Sequence, residues 1–99
     1  MDTRRRIALI DDDRAWLDTL AEYLQDRGYN VRTALGARSG LALLDEFDVA
    51  AAVIDFRMPD MDGLQLLRRL RQKRQDLDVL MLSGEDDPQL KSRALAEGA

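Results

Sequence analysis

One segment, Val53-Ile54-Asp55-Phe56-Arg57-Met58-Pro59-Asp60-Met61-Asp62-Gly63, indicates how the rest of the chain folds. It continues an apolar run that begins at Val49, and such a run is typical of a buried strand. The strand is expected to end at the carboxylate of Asp55. A loop that contains proline follows, and Gly63 begins an amphipathic stretch. In an open α/β sheet, ligands bind just beyond the carboxyl ends of the strands, so Asp55 marks a candidate site.

The same alternation of strand and helix extends along the chain. Strands are expected at residues 6–10, 29–34, 48–54 and 78–83, and helices between residues 13 and 28 and at 36–46, 63–74 and 86–97. Strands that alternate with helices form a parallel sheet with helices on both faces. We therefore predict an α/β fold, a flavodoxin-like doubly wound parallel sheet with strand order 2-1-3-4 and a switch point between strands one and three.

Local signals place the ends of the first helix and identify an edge strand. Asp13 precedes the helical stretch and is predicted to cap it, because an aspartate side chain accepts hydrogen bonds from the first free N–H groups. Gly28 follows the last turn, where a left-handed residue commonly ends a helix. Residues 29–34 alternate between apolar and polar side chains. This alternation is typical of a strand with one solvated face, so we expect it at an edge of the sheet.

Composition limits the chemistry that the chain can perform. Its 99 residues, 45% of them apolar, are enough for one core, and we assign residues 1–99 to a single domain. The sequence contains no cysteine and no histidine, which excludes disulfides, thiolate metal sites and Ser-His triads. Acid–base or metal chemistry must therefore depend on carboxylates.

Charge and hydropathy argue against two kinds of partner and favour one compartment. The net charge of −4 argues against direct nucleic-acid binding. No apolar stretch approaches the ~20 residues needed to cross a membrane. The basic run Arg4 to Arg6 precedes only four apolar residues, too few for a signal peptide. We expect a cytoplasmic protein that contacts neither nucleic acid nor membrane.

Three aspartates are expected to meet at one end of the sheet. Asp11 and Asp12 follow the first strand, and Asp55 ends the third, which is its neighbour in the predicted order. Two carboxylates about 4 Å apart repel by about 4 kcal/mol at an effective dielectric constant of about 20, so a cation or a proton is needed among them. Hard oxygen ligands with room for water favour Mg²⁺ over Ca²⁺. Taken alone, Asp11, Asp12 and Asp13 fit equally well as capping and turn residues.

The chain resembles the receiver domain of response regulators, the phosphoacceptor module of two-component signalling. Four segments carry the resemblance: Ile7 to Asp13, Val53 to Gly63, Val79 to Gly84 and Ala94 to Ala99. Its most specific feature is a strand-end aspartate followed by Met-Pro-x-Met-Asp-Gly, with an aspartate pair before it and a hydroxyl residue after it. The resemblance covers the whole chain and implies a signalling phosphoacceptor, not an enzyme that acts on a separate substrate.

The resemblance implies a role for each of five residues. Asp55 would be the nucleophile that becomes an aspartyl phosphate, and Ser83 would donate its hydroxyl to the phosphoryl group. Asp12 would bind Mg²⁺ directly and Asp11 through a metal-bound water. Asp55 itself and the backbone carbonyl of Arg57 would complete the protein ligands. The implied phosphodonor is a histidine kinase or a histidine phosphotransfer domain.

One residue of the family pattern, a lysine at the end of a fifth strand, has no counterpart before Ala99. Lys73 falls on the third predicted helix and Lys91 on the fourth, so neither is a convincing substitute. We interpret the chain as a receiver domain that is incomplete at its C terminus and lacks the fifth strand and helix. The resemblance further implies that switching acts through a homodimer or through an output domain beyond Ala99.

Further side chains are expected around the site. Trp16 falls one turn into the first helix, either beside the acidic cluster, where its fluorescence would report binding, or packed on the helix face. Arg57 and Glu85 follow Asp55 and Ser83 by two residues each. We hypothesise that Arg57 and Glu85 pair across the site and slow hydrolysis of the phosphoryl group. Two solvated charges, worth under about 1 kcal/mol together, are an equally good interpretation.

Two helices offer surfaces for partners. The resemblance implies that the phosphodonor docks on the first helix, at Ala15, Leu17 and Thr19 to Glu22. The third helix carries a basic run, Arg68 to Arg74. Most such runs are solvated faces, and we prefer that interpretation to an acidic partner surface.

Two alternatives to the phosphoacceptor stay open at this point. A phosphatase of the haloacid-dehalogenase kind also places an Asp-x-Asp after its first strand, which would make Asp11 the nucleophile and Asp13 the acid. That interpretation leaves Asp55 unexplained. The second alternative is an interaction domain that has kept the fold and lost phosphorylation. Identifying the aspartate that becomes phosphorylated discriminates among the three.

Overall fold

The computed structural model describes residues 4–55 and 58–82. Strands and helices alternate through this part of the chain. In chain order they are β1 (Arg6–Asp11), α1 (Arg14–Asp26), β2 (Asn30–Leu35), α2 (Ala37–Glu46), β3 (Ala51–Asp55), α3 (Gly63–Lys73) and β4 (Asp78–Leu82). The predicted alternation is confirmed over these residues, and the helix predicted at 86–97 lies outside them.

The strands form one parallel sheet in the order β2-β1-β3-β4, which confirms the predicted topology. Ile10 of β1 has Ala34 of β2 on one side and Ile54 of β3 on the other. Because the register pairs Ile10 with Ile54, the residues that follow them, Asp11 and Asp55, come to the same end of the sheet. β2 lies at an edge, as its alternating pattern predicts.

Helices cover both faces of the sheet. Ala8 and Ile10 of β1 belong to the core beneath α2 and α3, whereas Leu9 belongs to the core beneath α1. Each of these three residues is at most 1% exposed, so β1 is buried on both faces, as its uninterrupted apolar run predicts. Burial of a leucine or isoleucine side chain stabilises the fold by about 1.5–3 kcal/mol. The ends of β1 and β3 are therefore held by a packed core.

The signals read at the ends of α1 are confirmed. A carboxylate oxygen of Asp13 accepts a hydrogen bond from the backbone N–H of Trp16, at 3.2 Å. Gly28 has a φ of 96°, a conformation that costs glycine little, and it follows the helix C-cap. α1 therefore starts directly after the acidic end of β1.

A glycine sets the distance between α2 and the sheet. A Cβ atom added to Gly40 would lie 2.6 Å from Cδ1 of Ile10 and 2.8 Å from its Cγ1 and Cγ2. Contacts this short are strongly repulsive, so only glycine lets α2 approach β1 so closely.

The third strand starts later than expected. The sequence predicts the strand from residue 48, but β3 begins at Ala51 and ends at Asp55, the carboxylate expected at its end. The apolar run gives no sign of this boundary, because Val49 is buried outside the strand, at 2% exposure. Its carbonyl oxygen accepts a hydrogen bond from the Arg74 side chain, at 2.7 Å, instead of pairing with a neighbouring strand.

The basic run on α3 is partly engaged by acidic residues of this chain. Lys73 forms an ion pair with Asp45, at 2.6 Å between Nζ and Oδ1, and Arg74 pairs with Asp48 at the same distance and also with Asp76. Exposed pairs of this kind contribute about 0–1 kcal/mol each. The end of α3 is thus tied to the end of α2. None of the helices in the described ranges is long and apolar enough to cross a lipid bilayer.

Candidate functional site

The carboxylates predicted to converge do so. Asp11 ends β1, Asp12 follows it, and Asp55 ends β3. Each of the three offers a carboxylate oxygen, and these oxygens all lie within 4.8 Å of one another. Asp11 and Asp55 are 44 positions apart in the sequence, and the parallel register of β1 and β3 brings them together.

Exposure differs across this acidic cluster. Asp11 is 8% exposed, and among the described residues it is the one charged side chain that is buried. Asp55 is half-buried and Asp12 is exposed. Burial raises the pKa of Asp11, and the nearby charge of Asp55 adds to that effect. A hydrogen bond from the backbone N–H of Asp13, at 3.0 Å, acts in the opposite direction. Asp11 is thus held in a fixed orientation at a position where its charge is costly.

The chemistry of this donor set fits a hard divalent cation. Three carboxylate groups within 4.8 Å repel one another by about 3–4 kcal/mol per ionised pair at an effective dielectric constant of about 20. A divalent ion among them would offset that repulsion. Hard cations bind carboxylate oxygens, and the exposed side of the cluster, at Asp12, leaves room for water ligands.

Two of the predicted site residues lie outside the described residues. These are Arg57, whose backbone carbonyl is predicted to be a metal ligand, and Ser83, whose hydroxyl is predicted to contact the phosphoryl group. The hypothesised partner of Arg57, Glu85, also lies outside them. The roles of all three stay predictions.

Trp16 is beside the acidic cluster. It lines one small indentation together with Asp11, Asp55, Leu20 and Val53. Its side chain is 43% exposed, so it borders the site and solvent at once. The interpretation of Trp16 as a neighbour of the site is the one that this placement favours, and its indole is positioned to respond to a change there.

The docking surface expected on α1 needs a correction. Leu17 is 3% exposed and Ala21 is 9% exposed, so both pack against the sheet and offer little to a partner. The exposed large hydrophobic side chains of this helix are Trp16 and Tyr23. Tyr23 is 52% exposed, and the Arg27 guanidinium lies over its ring, 4.4 Å from the ring centroid. Sequence reasoning missed Tyr23, although its spacing of seven residues from Trp16 places both on the same side of the helix.

Asp60 is a second residue that sequence reasoning missed. Its carboxylate accepts hydrogen bonds from the backbone N–H groups of Ala37, at 3.2 Å, and Arg38, at 3.0 Å. These groups begin α2, whose own N-cap residue, Gly36, has no side chain to offer. A residue of the loop between β3 and α3 therefore caps a helix that starts 23 residues earlier in the chain.

The sequence is similar to a known protein family and to several of its members. A family model described as the response regulator receiver domain matches residues 7–99. The chain is 37% identical over 94 residues to the response regulator MprA of Mycolicibacterium vanbaalenii. That alignment covers 95% of this chain and 41% of MprA. It is 33% identical over 99 residues to the transcriptional regulatory protein FixJ of Bradyrhizobium diazoefficiens. That alignment covers 100% of this chain and 48% of FixJ. The chain spans less than half the length of these two curated relatives.

Solved structures agree with the sequence comparisons. The chemotaxis protein CheY4 of Vibrio cholerae superimposes with a TM-score of 0.93 at 29% sequence identity. The superposition covers 98% of this chain and 82% of that one.

Proposed function

Because this chain belongs to the response regulator receiver domain family, we propose that it accepts a phosphoryl group on Asp55 in a Mg²⁺-dependent reaction. The observation that carries the proposal is the convergence of the Asp11, Asp12 and Asp55 carboxylates at the ends of two neighbouring strands. The phosphorylated form would then control an output. In this role the protein is a signalling component and not a catalyst with a separate substrate.

The metal would be held by the three carboxylates together with the backbone carbonyl of Arg57. When bound, Mg²⁺ would neutralise charge that develops on the phosphoryl oxygens during transfer. Asp12 is exposed and Asp55 half-buried, so both are open to an ion that arrives from solvent. Asp11 is buried and oriented by the Asp13 N–H, which suits it to act through a metal-bound water.

The transfer step exchanges one bond to phosphorus for another. A carboxylate oxygen of Asp55 attacks the phosphorus atom of a phosphohistidine, an O–P bond forms, and the N–P bond to the imidazole breaks. The electron pair of that bond leaves with the imidazole nitrogen. The half-buried position of Asp55 supports this role, because a nucleophile must be reachable by a side chain of the donor protein.

Switching would follow from the new charge. A phosphoryl group adds roughly −1.5 to −2 charge and new acceptor oxygens, and we propose that the Ser83 hydroxyl donates to one of them. Movement of Ser83 would bias an equilibrium between two conformations. A histidine kinase or histidine phosphotransfer domain is the proposed donor. We propose an output domain beyond Ala99 or a homodimer as the readout. The output domain is supported by the curated relatives, of which this chain spans less than half.

The phosphatase alternative is poorly supported. It requires Asp11 to be the nucleophile, but Asp11 is 8% exposed and offers little surface to an incoming substrate. It also gives Asp55 no role, although Asp55 is a member of the acidic cluster.

The proposal is tested by phosphorylation with acetyl phosphate and Mg²⁺, followed by mass spectrometry of peptides. The wild-type protein is expected to gain one phosphoryl group on the peptide that contains Asp55. Asp55→Ala should gain none, and omission of Mg²⁺ should prevent labelling. Asp18→Ala, which removes an exposed carboxylate of α1 outside the cluster, is the matched control and should label as the wild type does. Labelling at Asp11 would favour the phosphatase, and no labelling at all would favour a non-phosphorylated interaction domain.

A further inference from the structure

The loop between β3 and α3 is attached to the rest of the protein at several points. Met58 is 8% exposed and packs in the core with Met61 beside it. Asp62 caps α3, where its carboxylate accepts a hydrogen bond from the Gln65 N–H at 2.8 Å. These contacts are local or apolar. Asp60 makes a polar contact with a distant element, because its carboxylate accepts hydrogen bonds from the first turn of α2.

The contact made by Asp60 continues to the acidic cluster through backbone hydrogen bonds. Gly36, the residue before α2, donates its N–H to the carbonyl oxygen of Asp11, at 2.9 Å. Gly36 has a φ of 100°, which glycine adopts readily. A Cβ atom at this position would lie 3.4 Å from Oδ2 of Asp60, so the Asp60 carboxylate lies next to the backbone of Gly36. Asp60 is thus linked through the start of α2 to the backbone of Asp11.

The charge of Asp60 suits this position. The N terminus of a helix carries free N–H groups and a partial positive charge. Hydrogen bonds from Arg38 and Ala37 lower the pKa of the Asp60 carboxyl, with the Arg38 N–H the largest cause. Asp60 therefore remains ionised at neutral pH and bonded to both donors.

We infer that Asp60 is a positioning residue for the phosphoacceptor site: by capping α2 it fixes the loop that follows Asp55 relative to Asp11. This inference rests on the proposed function. Asp55 and Asp60 are separated by four residues in the sequence, so the covalent connection between the nucleophile and the cap is short. The carboxylate of Asp60 takes no part in the chemistry. Its role is to hold the loop that carries Asp60 against the start of α2, where the Gly36 N–H bonds to the carbonyl oxygen of Asp11.

The test compares two aspartates of the same loop. Asp60→Ala removes the cap of α2, and Asp62→Ala removes the cap of α3 and serves as the matched control. Both lose a helix cap, so a merely structural effect should be similar in the two. Asp60→Asn, which keeps one acceptor oxygen, should rescue part of the loss. The readouts are the Mg²⁺ dissociation constant, followed by Trp16 fluorescence, and the hydrogen exchange rate of the Gly36 amide, followed by NMR.

The expected result separates the two variants. Asp60→Ala should raise the Mg²⁺ dissociation constant about tenfold, as loss of an outer-shell orienting contact typically does, and should speed exchange of the Gly36 amide. Asp62→Ala should change the constant less than about twofold and leave Gly36 protected. Asp60→Asn should fall between Asp60→Ala and the wild type. Equal Mg²⁺ affinities in the two alanine variants, or unchanged Gly36 protection in Asp60→Ala, would overturn the inference.

Failure of the proposed function gives a different pattern. A wild-type protein that neither binds Mg²⁺ nor is labelled by acetyl phosphate contradicts the phosphoacceptor proposal itself. In that case the role of Asp60 toward the site falls with it, while Gly36 exchange still decides whether Asp60 holds the start of α2 in place.

Discussion

The buried carboxylate of Asp11 and the half-buried carboxylate of Asp55 lie at the ends of neighbouring parallel strands, with oxygen atoms within 4.8 Å. Burial and the charge of Asp55 both raise the pKa of Asp11. Without a cation, the folded protein at neutral pH therefore holds like charges together at the most buried acidic position of the described residues. This cost is the physical reason why metal binding and stability should be coupled.

Replacing Asp11 by asparagine is expected to stabilise the metal-free protein at neutral pH by about 1–3 kcal/mol, because a buried carboxylate beside another is removed. The effect should depend on pH. Since the folded-state pKa is raised above the ordinary value of 3.8, the folded protein binds more protons than the unfolded one between the two values. The contribution of Asp11 to stability is therefore fully present below pH 3.8 and is lost as the pH rises through the raised value.

Urea unfolding in EDTA, from acidic to neutral pH, measures this difference between Asp11→Asn and the wild type. Asp18→Asn on the exposed face of α1 is the control and should change the free energy of unfolding little. Asp60 and Asp76 have lowered pKa values, so they change the pH dependence of stability in the opposite direction. Both are present in the wild type and in Asp11→Asn, so the difference between the two proteins isolates the effect of Asp11. An Asp11→Asn protein that is less stable than the wild type at neutral pH would contradict the prediction.

Mg²⁺ is expected to change the fluorescence of Trp16 and to stabilise the wild-type protein. Trp16 is the single tryptophan of the sequence, and it borders Asp11 and Asp55. At a Mg²⁺ concentration one hundred times the dissociation constant, the gain in unfolding free energy should be about 2.7 kcal/mol. Titration with Mg²⁺ and thermal unfolding measure the two effects. Asp12→Ala should abolish both, and a fluorescence change that persists in Asp12→Ala would place the ion elsewhere.

Much of this site was predictable because parallel strands end at a common edge. Asp11 and Asp55 each terminate an apolar run, and the strand order that brings the runs together follows from the alternation of strands and helices. The burial of Leu17 was also predictable from helical spacing. The docking role given to Leu17 by resemblance was wrong, because a position transferred from a family carries no information about which way this helix turns its side chains.

The contact of Asp60 was not predictable in the same way. Nothing in the residues around Asp60 indicates a bond to an N–H group 23 residues earlier, since capping signals are read within a few residues of a helix start. The signal in the sequence is the glycine before α2: Gly36 has no side chain, so α2 has no side-chain cap of its own. The start of β3 was missed for a related reason. Val49 is apolar and buried like a strand residue, but its carbonyl bonds with a distant arginine.

Replacing Gly40 by alanine is expected to destabilise the protein by about 1–3 kcal/mol, the usual cost of overpacking a core. The added methyl group would meet three carbon atoms of Ile10, all within 2.8 Å, and Ile10 is fixed at 1% exposure. Denaturant unfolding measures the loss. Ser39→Ala, on the exposed side of α2, is the control and should change stability by less than about 0.5 kcal/mol. A Gly40→Ala protein as stable as the wild type would show that α2 can move away from β1 at little cost.

Replacing Tyr23 by alanine is expected to slow phosphotransfer from a histidine phosphotransfer domain roughly tenfold, the effect of losing one aromatic contact from an interface. Tyr23 is 52% exposed on α1 and lies on the same side of that helix as Trp16, which borders the acidic cluster. Because Tyr23 does not line the indentation beside Asp11 and Asp55, little change is expected when acetyl phosphate is the donor. Rates of Asp55 phosphorylation with the two donors measure the difference, and Glu46→Ala at the end of α2 is the control. A similar loss with both donors would show that Tyr23 acts on the site and not on the partner.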